Sequence, residues 1–298
     1  MKVSHLRRLQ RRAVDDVIAL EHIFVINLDR RPDRWAAVQA VCAGAGLPAA
    51  RTERVSAVDG AGVDVVAAHR CGFVSALGLR RLQEPPRHHI WGMDLNKAAL
   101  GCALSHIHLW ARIAALGSVA DVSAGGSAAA PARPTRCCLV LEDDAALVPD
   151  TRGSGSGDDG ASTSSPASFL ADLHGRLRHV PSDWELLYVG GLDTAGQCPM
   201  MQVAPGVARV PQYHRTTSAY LLTPRGARRL LATSLPLTFQ LDTAMTMNVG
   251  YPPSSSGGGT AGGAATLPYV LDPVCYTLQP PLLQQAAELG TDIQHAAA

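Results

Sequence analysis

Cys137-Cys138-Leu139-Val140-Leu141-Glu142-Asp143-Asp144 decides how this chain is read. Five apolar or weakly polar residues run straight into three carboxylates. A short apolar run rich in branched residues, without helical spacing, reads as a strand buried on both faces. The acids at its carboxyl end cannot share that core, because an unpaired buried carboxylate is costly. They are expected where the strand emerges, the edge at which open α/β sheets bind ligands. Clustered carboxylates repel one another unless a cation or a set of donors compensates. The stretch points either to a divalent-metal site holding a phosphorylated substrate or to an acidic strand exit with solvated side chains.

Upstream, Ile23-Phe24-Val25-Ile26-Asn27-Leu28 reads as a strand. Pro32 then suits the first turn of a helix, where its missing N–H costs nothing. Trp35, Val38 and Cys42 recur at helical spacing, and Gly44 and Gly46 close that helix. The loop between carries Asn27, Asp29, Arg30, Arg31 and Arg34. Arginines beside a helix N-terminus suit a phosphate or nucleotide, and equally serve as caps and i,i+4 partners. Arg51 to Val58 reads as a second strand, ending in the turn signal Asp59-Gly60. The strand–helix–strand order predicts a parallel sheet with a right-handed crossover. Arg80-Arg81 and the run from Glu84 to His89 read as surface loop, with His88 and His89 solvated.

Asn96 can cap a helix running to Leu116, with Leu100, Leu104, Ile107 and Ala111 as its apolar stripe. The small residues of Gly101-Cys102-Ala103-Leu104-Ser105-His106 permit close packing against a strand or ligand. Ser105 and His106 face ~100° apart on a helix and do not form a nucleophile–base pair. Ser105 reads as a packing or hydrogen-bonding residue, and His106 as a candidate for a site rim. Downstream, Phe169 to His179 reads as a helix and Trp184 to Val189 as a strand ending in Gly190-Gly191-Leu192-Asp193. Paired glycines let backbone approach a ligand closely, or simply make a turn. Thr217 to Leu222 is a further strand, and Thr223-Pro224 open a helix with Ala227, Leu230 and Leu231 facing the core. Asp242 falls near the start of another helical segment, and Tyr269-Val270-Leu271 reads as a late strand.

The chain has 298 residues, 47% hydrophobic and 17% charged, with a formal net charge of +1. A substantial core is expected, and nothing global argues for nucleic acid or an anionic membrane. No apolar run approaches the ~20 residues of a membrane span, and no signal peptide is visible. Arg7-Arg8 and Arg11-Arg12 read as a solvated or frayed tail. The seven cysteines are odd in number and without C-x-x-C spacing, which predicts reduced, buried thiols. Gly/Ala/Ser/Pro-rich residues 117–135, 151–166 and 253–266 read as flexible, disordered insertions at loops. An N-terminal extension over 1–20 therefore precedes a single domain over 21–298.

In order along the chain, Val25-Ile26-Asn27-Leu28-Asp29-Arg30-Arg31-Pro32-Asp33-Arg34, Val58-Asp59-Gly60, Gly101 to His106, Leu139 to Asp144, Tyr188-Val189-Gly190-Gly191, Ala219 to Thr223 and the tail from Pro280-Pro281 to Asp292-Ile293 resemble the landmarks of glycosyltransferase family 25. That family comprises bacterial lipopolysaccharide sugar transferases and collagen galactosyltransferases. The resemblance implies a GT-A-type nucleotide-sugar-binding α/β fold with a central, mostly parallel mixed sheet flanked by helices. It implies sugar transfer, commonly galactose from UDP-galactose, to a hydroxyl of a glycan or protein acceptor. The long insertions depart from the family, as does Lys97-Ala98-Ala99, where the family often has an acid.

By the same resemblance the acid triplet corresponds to the metal motif of the fold class. Asp144 is expected to ligate Mn²⁺ or Mg²⁺, with Glu142 or Asp143 on the ribose or the metal's water shell. Glu142 and Asp144 would point to one side of the strand. Asn27, Arg30, Arg34 and Asp59 are expected around the nucleotide, with Ser105 nearby, and Gly190 and Gly191 along the donor sugar or acceptor. A general base for an inverting transfer is expected at Asp242, or else Asp193. A nucleotidyl-type metal enzyme and a non-catalytic binding module are the alternatives. The cytoplasm is the expected compartment for the chain as it stands. The low-complexity insertions suggest a eukaryotic host and, given a missing leader, the endoplasmic reticulum or Golgi lumen.

Overall fold

The computed structural model describes residues 18–90, 93–117, 135–148, 166–191, 200–210, 214–247, 249–250 and 270–290. The basic N-terminal cluster, Asp193, Cys198, Tyr269, Asp292 and the bulk of the three insertions lie outside the described residues.

In chain order the elements are β1 (Ile18–Asn27), α1 (Pro32–Gly44), β2 (Thr52–Ser56), α2 (Val65–Arg70), α3 (Ala76–Gln83), α4 (Lys97–Leu116), β3 (Thr135–Glu142) and β4 (Ala145–Leu147). There follow α5 (Pro166–Leu177), β5 (Leu186–Tyr188), β6 (Met201–Ala204), β7 (Val207–Arg209), β8 (Ala219–Leu222), α6 (Pro224–Ser234), α7 (Leu241–Met247), β9 (Val249–Gly250), β10 (Val270–Leu271), β11 (Cys275–Leu278) and β12 (Leu283–Gln285). The central sheet runs β2-β1-β3-β8-β5-β11-β7-β6. β1 pairs parallel with β2 and β3, and β5 with β11. β8 is antiparallel to both β3 and β5, and β7 to both β11 and β6. The α/β class and the β1–α1–β2 crossover stand, whereas the mostly parallel sheet does not. An apolar run buried on both faces reports burial, not direction. The four residues of β8 give no sign of running against their neighbours.

The sheet separates two apolar layers. Phe24, Ile26, Cys138, Val140, Tyr220 and Leu222 face α4 and α6, while Ile23, Val25, Cys137, Leu139, Leu141 and Leu221 face α1 and α5. The two sets alternate along each strand, as a period of two requires. Asn96 caps α4 by accepting from the Ala99 nitrogen at 2.7 Å, and Thr223 caps α6 through Gly226 at 3.0 Å. α4 is the one described helix long and apolar enough, by length and composition, to cross a membrane. Its Leu100, Leu109, Trp110 and Ile113 are fully buried within the fold, which makes it the core helix. A Cβ at Gly101 would lie 2.5 Å from the Gly60 nitrogen and 2.6 Å from the Val58 oxygen, so only glycine lets α4 meet the exit of β2.

Three local expectations are corrected. Arg80 and Arg81 sit in α3, where Arg81 is ion-paired with buried Asp94, instead of in a loop. Ala111 is exposed, and the buried face of α4 turns instead through Ala103, Ile107, Trp110 and Ile113. Cys71 is exposed and Cys102 half-buried, so the six described thiols are free as expected but not uniformly interior.

Candidate functional site

A cleft opens where β1, β2 and β3 end. Leu28 and Arg30 follow β1, Val58, Asp59 and Gly60 follow β2, and Glu142 ends β3 with Asp143 and Asp144 in the turn just beyond it. Arg34 of α1, Cys102, Ser105 and His106 of α4, and Gln285 of β12 add to the lining, with Ile26, Ala57 and Ala98 as its further apolar members. All three strands run in the same direction, so their loops converge at one edge of the sheet.

The three acids are handled differently. Asp143 is 6% exposed, and its two oxygens accept from Asn27 Nδ2 at 2.7 Å and from Arg34 Nη1 at 3.0 Å. Arg34 is itself buried and also donates to the carbonyls of Leu289 at 3.1 Å and Gly290 at 2.8 Å. Asp144 is 4% exposed, and its Oδ2 accepts from Gln285 Nε2 at 2.8 Å. Its Oδ1 is buried without a hydrogen-bond partner among the described residues. Burial and the neighbouring Glu142 charge push the Asp144 carboxyl up to about 7. Burial likewise raises Asp143. Burial acts upward on Glu142 too, but hydrogen bonds from His106 and Thr217 outweigh it and hold this acid below its usual range.

Behind Glu142 runs a buried polar chain. Trp110 Nε1 donates to the Tyr220 hydroxyl at 2.9 Å, and that hydroxyl lies 2.8 Å from His106 Nδ1. His106 Nε2 is 3.2 Å from Glu142 Oε1, which also accepts a short hydrogen bond from Thr217. An indole can only donate, so Tyr220 accepts from Trp110 and turns its own proton toward His106. Where Nδ1 accepts that proton, Nε2 is the ring nitrogen that donates to Glu142.

Residues 20–245 match the family model described as glycosyltransferase family 25, LPS biosynthesis protein. The chain belongs to glycosyltransferase family 25. Among similar proteins, a "Glycosyltransferase 25 family member" of Drosophila pseudoobscura pseudoobscura is 36% identical over 101 residues, covering 33% of this chain and 14% of that protein. "Procollagen galactosyltransferase 1" of Danio rerio is 26% identical over 229 residues, covering 72% of this chain and 29% of that protein. "Inactive glycosyltransferase 25 family member 3" of Homo sapiens is 28% identical over 242 residues, covering 78% of this chain and 32% of that protein. This family 25 chain thus spans about a third or less of the length of these curated relatives.

The cleft of this family 25 domain gathers Arg30, Arg34, Asp59, Ser105, Glu142, Asp143 and Asp144 from the expected set. Arg30 and Asp59 form a half-exposed ion pair of 2.8 Å at the rim. An Ala61 backbone hydrogen bond and Arg30 hold the Asp59 carboxyl low. Ser105 donates to the Gly101 carbonyl and accepts from the Val58 nitrogen, both at 2.8 Å, tying α4 to the loop after β2. Asn27 sits behind the wall, 1% exposed, between Asp143, the Arg31 carbonyl and Arg54. Gly190 and Gly191 are not in the lining. Gly190 bridges to Leu283, while Gly191, at φ +141°, packs against His214. Asp242 is also outside the lining, and its carboxylate accepts from the backbone nitrogens of Thr216 and Thr243.

Sequence reasoning missed the floor of this cleft. His106 is fully buried there instead of standing at the rim, and Trp110, Tyr220, Thr217 and Gln285 carried no local signal. The four-residue spacing of Cys102, His106 and Trp110 on one helix was the clue within reach.

Proposed function

We propose that this chain transfers a hexose, galactose first among the candidates, from a UDP-sugar to a hydroxyl of a glycan or protein acceptor, with Mn²⁺ or Mg²⁺ held by Asp144 and Glu142 on a GT-A-type scaffold. The observation that carries the reading is Asp144 Oδ1, a buried carboxylate oxygen lacking a partner among the described residues, in the cleft-lining turn just past β3. An orphaned buried acceptor is costly, and a hard cation with oxygen ligands would satisfy it. When bound, the cation supplies neutralisation of the charge that develops on the leaving diphosphate.

The chain's own groups divide the remaining work. Asn27 and Arg34 act through Asp143, fixing the turn that aims Asp144. Arg30 at the rim faces an arriving diphosphate or ribose, with Asp59 orienting it. Thr217 and His106 keep Glu142 ionised and fixed in direction. Asp242 is assigned the acceptor's proton, with Asp193 second. Burial raises the Asp242 carboxyl, the direction a base working near neutrality needs. Gly190 and Gly191 belong to the acceptor side in this reading.

A second reading is binding of the donor without transfer. The human relative named as inactive favours it, because that protein is similar over 78% of this chain. A thermal-shift panel of nucleotide sugars, with and without Mn²⁺, followed by a transfer assay on the best donor, separates the two. The proposal expects metal-dependent stabilisation by UDP or a UDP-sugar and turnover with it. Stabilisation without turnover supports the second reading, and no metal dependence overturns the metal-site assignment.

A further inference from the structure

We propose that the cleft floor is also a thiophilic cation site, in which Cys102, His106 and Glu142 bind Zn²⁺ or a chemically similar transition-metal dication. One ligand atom from each of the three lies within 4.8 Å of the others, so together they form a compact donor set. Cys102 and His106 stand four residues apart on α4 and therefore share a face, and Glu142 arrives opposite them from the end of β3. Sulfur, imidazole nitrogen and one carboxylate oxygen are a donor set that zinc accepts, with bond lengths of about 2.3, 2.0 and 2.1 Å. Ligand atoms of such a site are roughly 3.3–3.7 Å apart, so the three must draw in from their present spread. The single torsion of Cys102 and the outer torsions of Glu142 can supply that movement.

The surroundings of these three residues are those of a supported metal site. A ligating histidine ordinarily has its other nitrogen fixed by a hydrogen bond, and His106 Nδ1 has the Tyr220 hydroxyl at 2.8 Å. Thr217 likewise holds the Glu142 carboxylate. Nε2, the nitrogen 3.2 Å from Glu142, is the one placed to ligate. Its proton must then reside on Nδ1, where the Tyr220 oxygen accepts it beside the Trp110 N–H. The exchange costs Tyr220 its role as donor to the ring, against three coordinate bonds gained. Burial pushes the Cys102 thiol well above its ordinary range, so the cation displaces the S–H proton to solvent as the metal–sulfur bond forms. A thiolate and a carboxylate neutralise the dication, which leaves the buried cluster without net charge. Three protein ligands leave a fourth position for water.

This differs from the oxygen-ligated cation proposed at Asp144, though the two share Glu142. If that earlier reading holds, zinc at the floor withdraws Glu142 from the donor site and inhibits transfer. The binding claim itself does not depend on it.

Cobalt(II) is the probe, titrated into the full chain and read by its thiolate-to-metal charge-transfer absorption in the near ultraviolet. One equivalent is expected to produce the band, zinc to bleach it, and Cys102→Ser to abolish it, while Cys71→Ser and Asp144→Asn leave it intact. A band that survives Cys102→Ser, or no band at all, overturns the proposal. X-ray absorption on zinc-loaded wild-type chain needs no variant. One sulfur at about 2.3 Å is expected, and a shell of oxygen and nitrogen alone would contradict the assignment. UDP and Mn²⁺ binding retained in Asp144→Asn would overturn the donor-site reading alone, whereas a missing or Cys102-independent cobalt band would overturn this one alone.

Discussion

Two adjoining regions of the cleft treat neighbouring carboxylates in opposite ways. Around Asp143 both oxygens are engaged, by Asn27 and by an arginine that is itself buried and anchored to the carbonyls of Leu289 and Gly290. Around Asp144 one oxygen is held by Gln285 and the other meets no protein donor among the described residues. The two acids are almost equally buried, at 6% and 4% exposure, so burial alone does not distinguish structure from function here. What distinguishes them is whether the fold has spent the group's hydrogen-bonding capacity. A buried charge with every acceptor occupied is a tie between elements, whereas one left half-satisfied is poised for a ligand.

The largest effect should come from breaking the tie. Arg34→Met leaves Asp143 buried and without its cation, which costs about 3–5 kcal/mol when one member of such a pair is removed. Chemical denaturation should show the loss, and a variant within 1 kcal/mol of wild type by the same order-of-magnitude standard would mean that Asp143 is not structural. Truncating the buried indole behind Glu142 is next. Trp110→Ala should cost on the order of 3–5 kcal/mol, mostly from the cavity. Trp110→Phe should lose far less stability yet still lower transfer, because the Tyr220 hydroxyl beside His106 loses the N–H that orients it.

Asp144 should behave in the opposite sense to Asp143. Its carboxyl is raised from 3.8 to about 7 in the folded chain, so the folded state holds the proton more tightly than the unfolded one. The stability this contributes is full below about pH 4 and is lost as pH climbs through about 7. Metal-free wild-type chain should therefore melt at progressively lower temperature over that window. Asp144→Asn should flatten the profile and match or exceed wild type at pH 8 while abolishing metal-dependent donor binding. A variant less stable than wild type at pH 8 would show that the carboxylate is structural after all.

The smallest effect belongs to the rim. Arg30 and Asp59 are about half exposed, and exposed pairs contribute roughly 0–1 kcal/mol. Arg30→Ala should barely move the melting temperature but weaken donor binding about tenfold, read by calorimetry. Unchanged affinity would remove Arg30 from the donor site.

The parallel half of the sheet was legible because β1 and β3 are long apolar runs whose loops carry punctuating residues, Pro32 after one and the acid triplet after the other. The Asn96 and Thr223 caps were equally readable, since capping is a local device. The antiparallel half was not legible. β5, β7 and β8 are three or four residues each, too short for periodicity to report a direction. Within the site, the acids announced themselves by being adjacent. The chain from Trp110 through Tyr220 and His106 to Glu142 joins three separate elements and becomes visible only when α4 packs across β3 and β8. Asp143 and Asp144 could not be told apart in advance, because the residues that separate them, Arg34 and Gln285, lie 109 and 141 positions away.

The claim that Asp144 is the acid reserved for a cation is tested most directly by titrating Mn²⁺ into UDP-saturated chain and following the free ion by electron paramagnetic resonance. Wild-type chain should bind one ion, and Asp144→Asn should weaken that binding by at least about a hundredfold, roughly 2.7 kcal/mol, with its fold intact by circular dichroism. Equal Mn²⁺ binding by the two proteins would contradict the account.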